Sequence, residues 1–254
     1  MIAGAVVAAL AIAYGWFEAG WLRTRVLVVP VAGLPAALDG LRIAHLSDFH
    51  LGPPSRGAVA VRRAADWVRE RNPDLVAVTG DLLSHPRGRA GLDEALSGLN
   101  AYAVLGNHDV AITRDPFSRP AELDGLEATL LQDESITLVQ RGERIQLTGI
   151  APLPDAAVPP PDPSASLHIL LSHYPRLRVP GYQLVLAGHM HAGQIVLPYP
   201  GGKIRFAHLR SPLTEGIYRA GGVTLHISPG LGTTFVPFRL FARPEVTELV
   251  LQSA

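Results

Sequence analysis

Five short, largely apolar runs recur along this chain, and each closes on polar residues able to ligate a metal. Leu41 to Leu46 leads into Ser47, Asp48, Phe49 and His50; Leu75 to Thr79 leads into Gly80 and Asp81. Tyr102 to Leu105 leads into Gly106, Asn107, His108 and Asp109. Leu167 to Leu171 leads into Ser172 and His173, and Leu184 to Ala187 into Gly188, His189, Met190 and His191. Runs this short and apolar have the composition of buried strands. In an open α/β sheet the carboxyl ends of the strands face one crevice, so residues distant in sequence converge there. The recurrence therefore demands an α/β fold with a candidate site along one edge.

The segments between the runs fit that demand. Over Ala58 to Arg71, Val61, Ala64, Ala65 and Val68 recur at helical spacing, and Asn72 and Pro73 end the run. This predicts a β-α-β unit, and Ala90 to Leu99 predicts a second helix leading into the third strand. Thr137 to Gln140 and Arg144 to Ile150 flank Gly142, while Ile217 to Arg219 and Val223 to Ile227 flank Gly221 and Gly222; both read as antiparallel hairpins. The Pro-rich run Pro152 to Pro163 is too poor in donors for an interior strand and reads as a surface loop. With 254 residues, 48% of them hydrophobic, the chain can bury one substantial core. Residues 41–254 read as a single domain after a Pro- and Gly-containing linker at 23–40.

The amino terminus differs in kind. Ile2 to Phe17 carries no charge, and Glu18 is the only charge before Arg23. As a helix, Ile2 to Leu22 would extend about 31 Å, enough for a bilayer core. Trp16, Phe17 and Trp21 stand at its end, where aromatic rings favour the headgroup level, and Arg23 and Arg25 follow. Residues 1–22 thus read as a transmembrane anchor helix in the inner membrane, with the domain that follows on the cytoplasmic side. A cleaved signal peptide would want a basic stretch ahead of the apolar one, and a buried helix is the remaining alternative. Elsewhere charge is balanced, 22 Lys plus Arg against 22 Asp plus Glu, so no bulk field exists to condense nucleic acid. Cysteine is absent, so any metal is held by nitrogen and oxygen.

Such a donor set suits Mn, Fe or Zn better than Ca or Mg. The order D-x-H, G-D, G-N-H-D, a lone H and G-H-x-H, from Asp48 to His191, resembles the calcineurin-like metallophosphoesterases. The flanks Asn72-Pro73-Asp74, Leu171-Ser172-His173-Tyr174-Pro175 and Gly193-Gln194-Ile195 resemble its membrane-anchored bacterial branch. So do Gly230-Leu231-Gly232-Thr233 and Arg243-Pro244-Glu245. Met190 and Ala192 stand where that branch usually has Thr and Gly, and Ser84 replaces a frequent acidic residue.

The resemblance implies a four-layer α/β/β/α sandwich holding two divalent metal ions. Asp48, His50 and His191 would hold one ion, Asn107, His173 and His189 the second, and Asp81 would bridge them. A hydroxide shared by the ions would attack phosphorus in line, His108 would protonate the leaving oxygen, and Asp109 would orient that imidazole. The substrate implied is a phosphoester or pyrophosphate, lipid-linked as in UDP-diacylglucosamine. Phe235, Val236, Phe238, Leu240 and Phe241 either receive acyl chains or pack under the last strands. A phosphodiesterase of small substrates, an inactive membrane-anchored binding protein and a hydrolase of carboxylic esters or amides remain open. His45 and His168, inside apolar runs, read as core histidines; His208 and His226 carry no motif, and His85 reads as solvated.

Overall fold

Strands buried on both faces need a layer on each side, and two sheets and a pair of helices supply them. The computed structural model describes residues 2–110, 120–209 and 211–254. One six-stranded sheet orders β1 (Arg23–Val31), β14 (Glu245–Ser253), β2 (Arg42–Leu46), β3 (Leu75–Thr79), β4 (Ala101–Val104) and β5 (Ala128–Leu130). The second orders β12 (Gly216–Ala220), β13 (Val223–Ile227), β9 (Leu184–Ala187), β8 (Leu167–Ser172), β7 (Glu143–Gly149) and β6 (Glu134–Gln140). A separate hairpin joins β10 (Val196–Tyr199) to β11 (Gly202–Arg205).

Side chains alternate across the pleat. Ala44, Leu46, Val76 and Val78 face outward onto α2 (Gly57–Arg71) and α3 (Arg89–Leu96), meeting Val61, Ala64, Ala65, Val68, Leu92 and Leu96. Ile43, Leu75 and Ala77 face inward onto Leu147, Ile169, Leu171 and Leu186 of the second sheet. Asn72 ends α2 in the left-handed conformation at φ 45°, with its N–H on Val68 O, and Pro73 follows. Both hairpins turn through residues of positive φ, Arg141 and Gly142 in one, Gly221 and Gly222 in the other.

Three expectations are corrected. The fourth, helical layer is absent among the described residues: the outer face of the second sheet, with Leu170, Val185 and Leu225, is covered by loops carrying Val158, Val179, Tyr182 and Leu213. The Pro-rich loop serves there, and Pro159 O accepts from the Tyr182 hydroxyl at 2.9 Å. The supposed linker at 23–40 contains β1, an edge strand paired in parallel with β14 along nine residues. Its Arg23 and Arg25 pair with Glu245.

The apolar amino terminus is the third. α1 spans Ile2–Glu18, 17 residues, or about 25 Å against a bilayer core of about 30 Å. No described helix is long and apolar enough to cross a membrane. The helix stops where its last turn docks. Glu18 is fully buried and accepts N–H bonds from Phe241 (2.8 Å) and Ala242 (2.7 Å), while Gly15 O accepts from Arg239 N–H at 3.0 Å. Ahead of that turn the helix is exposed, including Val6, Val7, Leu10 and Ile12.

Candidate metal centre

The carboxyl ends of β2, β3 and β4 in one sheet and of β8 and β9 in the other lie along one edge, and the five polar clusters follow them directly. Their loops are stitched together by main chain: Asp48 N–H donates to Gly80 O at 2.9 Å and His50 N–H to Asp81 O at 2.8 Å. Asp48, His50, Asp81, His189 and His191 all have positive φ, between 45° and 70°. Side chains other than glycine rarely adopt that region, and strain of this kind collects at functional sites. Glycines permit the close approach: a Cβ on Gly106 would overlap Asp81 Oδ1, and one on Gly188 would overlap Ser47 Oγ.

Two sets of donor atoms result. In the first, His50 Nε2 and His191 Nε2 are 3.2 Å apart, Asp48 Oδ1 is 3.4 Å from His191 Nε2, and Asp81 Oδ2 is 3.3 Å from His50 Nε2. All four residues are buried, with ligand atoms within 4.8 Å of one another. In the second, Asn107 Oδ1 lies 2.9 Å from His173 Nε2 and 3.1 Å from His189 Nδ1, and those nitrogens are 3.2 Å apart. Asp81 Oδ2 is also 3.4 Å from His173 Nε2, so it borders both sets. Metal–ligand bonds of about 2.1 Å place neighbouring ligand atoms about 3.0–3.4 Å apart. The first set therefore has the spacing to hold a divalent cation, and the second set lies directly beside it.

Electrostatics agree with that fit. Burial alone would raise the Asp81 carboxyl, but His173 and His50 outweigh it and hold Asp81 well below its ordinary range. Burial works against protonation of His173 too, yet Asp81 pushes it up to about 9. Burial, then His50 and Arg239, keep His191 neutral, the form that ligates metal.

The surrounding bonds orient the ligands. A carbonyl can only accept, so His173 donates its Nδ1–H to Thr79 O at 2.8 Å and turns Nε2 into the site. His50 Nδ1 is 3.0 Å from Ser84 Oγ, which gives that departure from the family pattern a place beside a ligand. The imidazole of His108 is half-buried on the wall of a cavity of about 410 Å³, 4.9 Å from the His50 ring and 6.2 Å from Phe235 between centroids. Its main-chain N–H donates to Asp81 Oδ1 at 2.8 Å.

The Asp109 carboxylate accepts N–H bonds from Leu82, Leu83 and Gly106, so it locks the second and third loops together. Burial and the nearby charge of Asp81 raise it to about 6. Four residues outside the expected ligand set also reach the site. His208 packs against His189 at 5.4 Å, and Thr234 Oγ1 lies 3.0 Å from His50 Nε2. Gln194 holds the backbone of Thr234, and fully buried Arg239 donates to Gly232 O, Pro229 O and Ala242 O, with its edge 3.4 Å from His191 Nδ1. Only Gln194 stood in a flank with a recognisable signal. The far wall of the cavity is apolar: Ile195, Phe206, Phe235 and Val236.

Comparison with known proteins bears on this geometry. A transmembrane protein with a metallophosphoesterase domain from Danio rerio is 34% identical over 89% of the chain, and the chain spans 56% of that relative. The Bacillus subtilis metallophosphoesterase YkoQ is 31% identical over 85% of the chain and 84% of its own length. The Escherichia coli phosphodiesterase YaeI is 27% identical over 93% of the chain and 89% of its own. The calcineurin-like phosphoesterase profile matches residues 41–193, more than half of the chain and all five donor clusters. Donor clusters in this order, on strand ends of paired sheets, together with that match, make the chain a member of the calcineurin-like phosphoesterase family.

Proposed function

We propose that this chain is a dinuclear, metal-dependent hydrolase of phosphoester or pyrophosphate bonds. The observation that carries the reading is the pair of donor sets that share Asp81 Oδ2. Asp48, His50 and His191 hold one ion, Asn107, His173 and His189 the other, and Asp81 serves both. Mn, Fe or Zn ions bound there polarise phosphoryl oxygens and supply a nucleophile from water at neutral pH. His108, half-buried on the cavity wall, hands a proton to the leaving oxygen. The strained ligand loops and their glycine contacts keep the donors fixed before substrate arrives.

The substrate joins a phosphodiester or pyrophosphate to an apolar, lipid-linked group, as in a UDP-diacylglucosamine. Support comes from the wall of Ile195, Phe206, Phe235 and Val236, and from the exposed apolar faces of α1, Phe235 and Phe241. Tyr14 of α1 packs on Phe241 at 5.8 Å, so the helix and the tail beside the cavity form one apolar surface. That surface rests against the face of a membrane.

Metal analysis of the purified protein, together with hydrolysis of an aryl phosphodiester, tests the reading. Two ions per chain are expected, and Asp81→Ala should lose both along with activity. Full metal occupancy in that variant would refute the shared role. Equal kcat/KM for acylated and deacylated forms of one substrate would refute recognition of lipid.

A further inference from the structure

Thr234 lies outside the ligand set of the proposed dinuclear centre, yet its side chain points into it. Oγ1 is 3.0 Å from His50 Nε2 and 3.2 Å from His191 Nε2, and those nitrogens are 3.2 Å apart. Three donor atoms thus form a nearly equilateral triangle. One face of an octahedron with bonds of about 2.2 Å has edges of about 3.1 Å. A hydroxyl carries one proton and can serve one of the two nitrogens at a time. A cation over the triangle serves both nitrogens and the oxygen together.

The placement is built into the fold. Gln194 clasps Thr234 from both sides: its Nε2 donates to Thr234 O at 2.8 Å, and its Oε1 accepts from Thr234 N–H at 2.8 Å. The same Nε2 is 3.2 Å from Val236 O. Gln194 is buried and follows His191 closely in the chain, so the segment that carries the ligand also fixes the hydroxyl. Thr233, the preceding residue, is pinned by its N–H to Ser55 Oγ at 3.1 Å.

We propose that Thr234 Oγ1 is a neutral oxygen donor to the ion held by Asp48, His50, Asp81 and His191, a role that rests on the dinuclear reading above. With it the first subsite has three oxygen and two nitrogen donors, more than the four that a tetrahedral Zn²⁺ site uses. Thr234 therefore biases this subsite toward ions that take five or six ligands, Mn²⁺ and Fe²⁺ over Zn²⁺.

The test is metal binding by the full chain, with no assay of turnover. Mn²⁺ and Zn²⁺ are titrated into metal-free wild type, Thr234→Val and Thr234→Ser, and the visible absorption of the Co²⁺-loaded proteins is recorded. Thr234→Val should weaken Mn²⁺ at one of two sites by roughly tenfold or more, the scale on which groups around a metal act. Zn²⁺ should be weakened less, the Co²⁺ bands should intensify as the coordination number drops, and Thr234→Ser should restore the wild-type pattern. Thr234→Ala carries the same comparison should valine not be accommodated. Wild-type Mn²⁺ affinity at both sites with an unchanged Co²⁺ spectrum in the valine or alanine variant would overturn the proposal. Failure of the wild type to bind two ions would instead overturn the dinuclear reading.

Discussion

Acid should destabilise this fold through a histidine pair buried between the two sheets. His45 of β2 and His226 of β13 are fully buried, with their Nδ1 atoms 2.7 Å apart. Thr79 Oγ1 donates to Ser47 Oγ at 2.8 Å, so it accepts from His45 Nε2–H at 2.9 Å. His45 Nδ1 then accepts from His226 Nδ1–H, and His226 Nε2 is left buried with no partner. A second proton on either ring sets donor against donor or strands a cation, so both rings stay neutral. Burial, reinforced by Arg25, pushes His226 down to about 3, and burial followed by His226 pushes His45 well below its ordinary range. The unfolded chain takes up protons below its ordinary value of 6.5, while the folded chain does not. The contribution is therefore complete above that value and falls as pH drops toward the folded pKa. Between about pH 7 and about pH 5 one such histidine costs about 2 kcal/mol. Urea unfolding of wild type and His226→Gln, both with a chelator present, isolates the effect. A glutamine amide can still donate to His45 Nδ1, and the ligand histidines titrate in both proteins and cancel in the difference. The variant should lose about 2 kcal/mol less than wild type over that range. Parallel pH dependences would refute the reasoning.

His108→Ala should keep both metals by elemental analysis yet lose turnover, most severely for leaving groups of high pKa; equal losses for good and poor leaving groups would remove the acid role. Arg239→Met should leave the carbonyls of Gly232, Pro229 and Ala242 without their charged donor, at a cost of about 3–5 kcal/mol. For a chain of this size that lowers Tm by on the order of 10 °C in a thermal melt, and a negligible change would show that those carbonyls find other partners.

Much of this molecule is legible one segment at a time. The runs ending at Leu46, Thr79 and Ala187 are strands at those limits, and α2 stops at Arg71 before Asn72 and Pro73. Periodicity and turn chemistry are local properties, so a local pattern carries them. The donor clusters were legible for a related reason: each lies immediately after its strand, so a common sheet edge brings Asp48, Asp81, Asn107, His173 and His189 together.

Only tertiary structure decided the rest, because the deciding contacts join distant segments. Arg23 to Val31 looks like a linker until β14, more than two hundred residues later, offers it a parallel partner. The amino-terminal helix ends at Glu18 because that carboxylate finds two backbone N–H groups in the tail. Asp109 sits in a catalytic-looking motif, yet the N–H groups of the neighbouring loop claim its carboxylate. Thr234 carries no local mark at all; it faces the metal ligands because Gln194 clasps its backbone from the far side of the same edge. Sequence spacing determines which residues share a strand end, but which donor finds which acceptor across the chain depends on long-range packing.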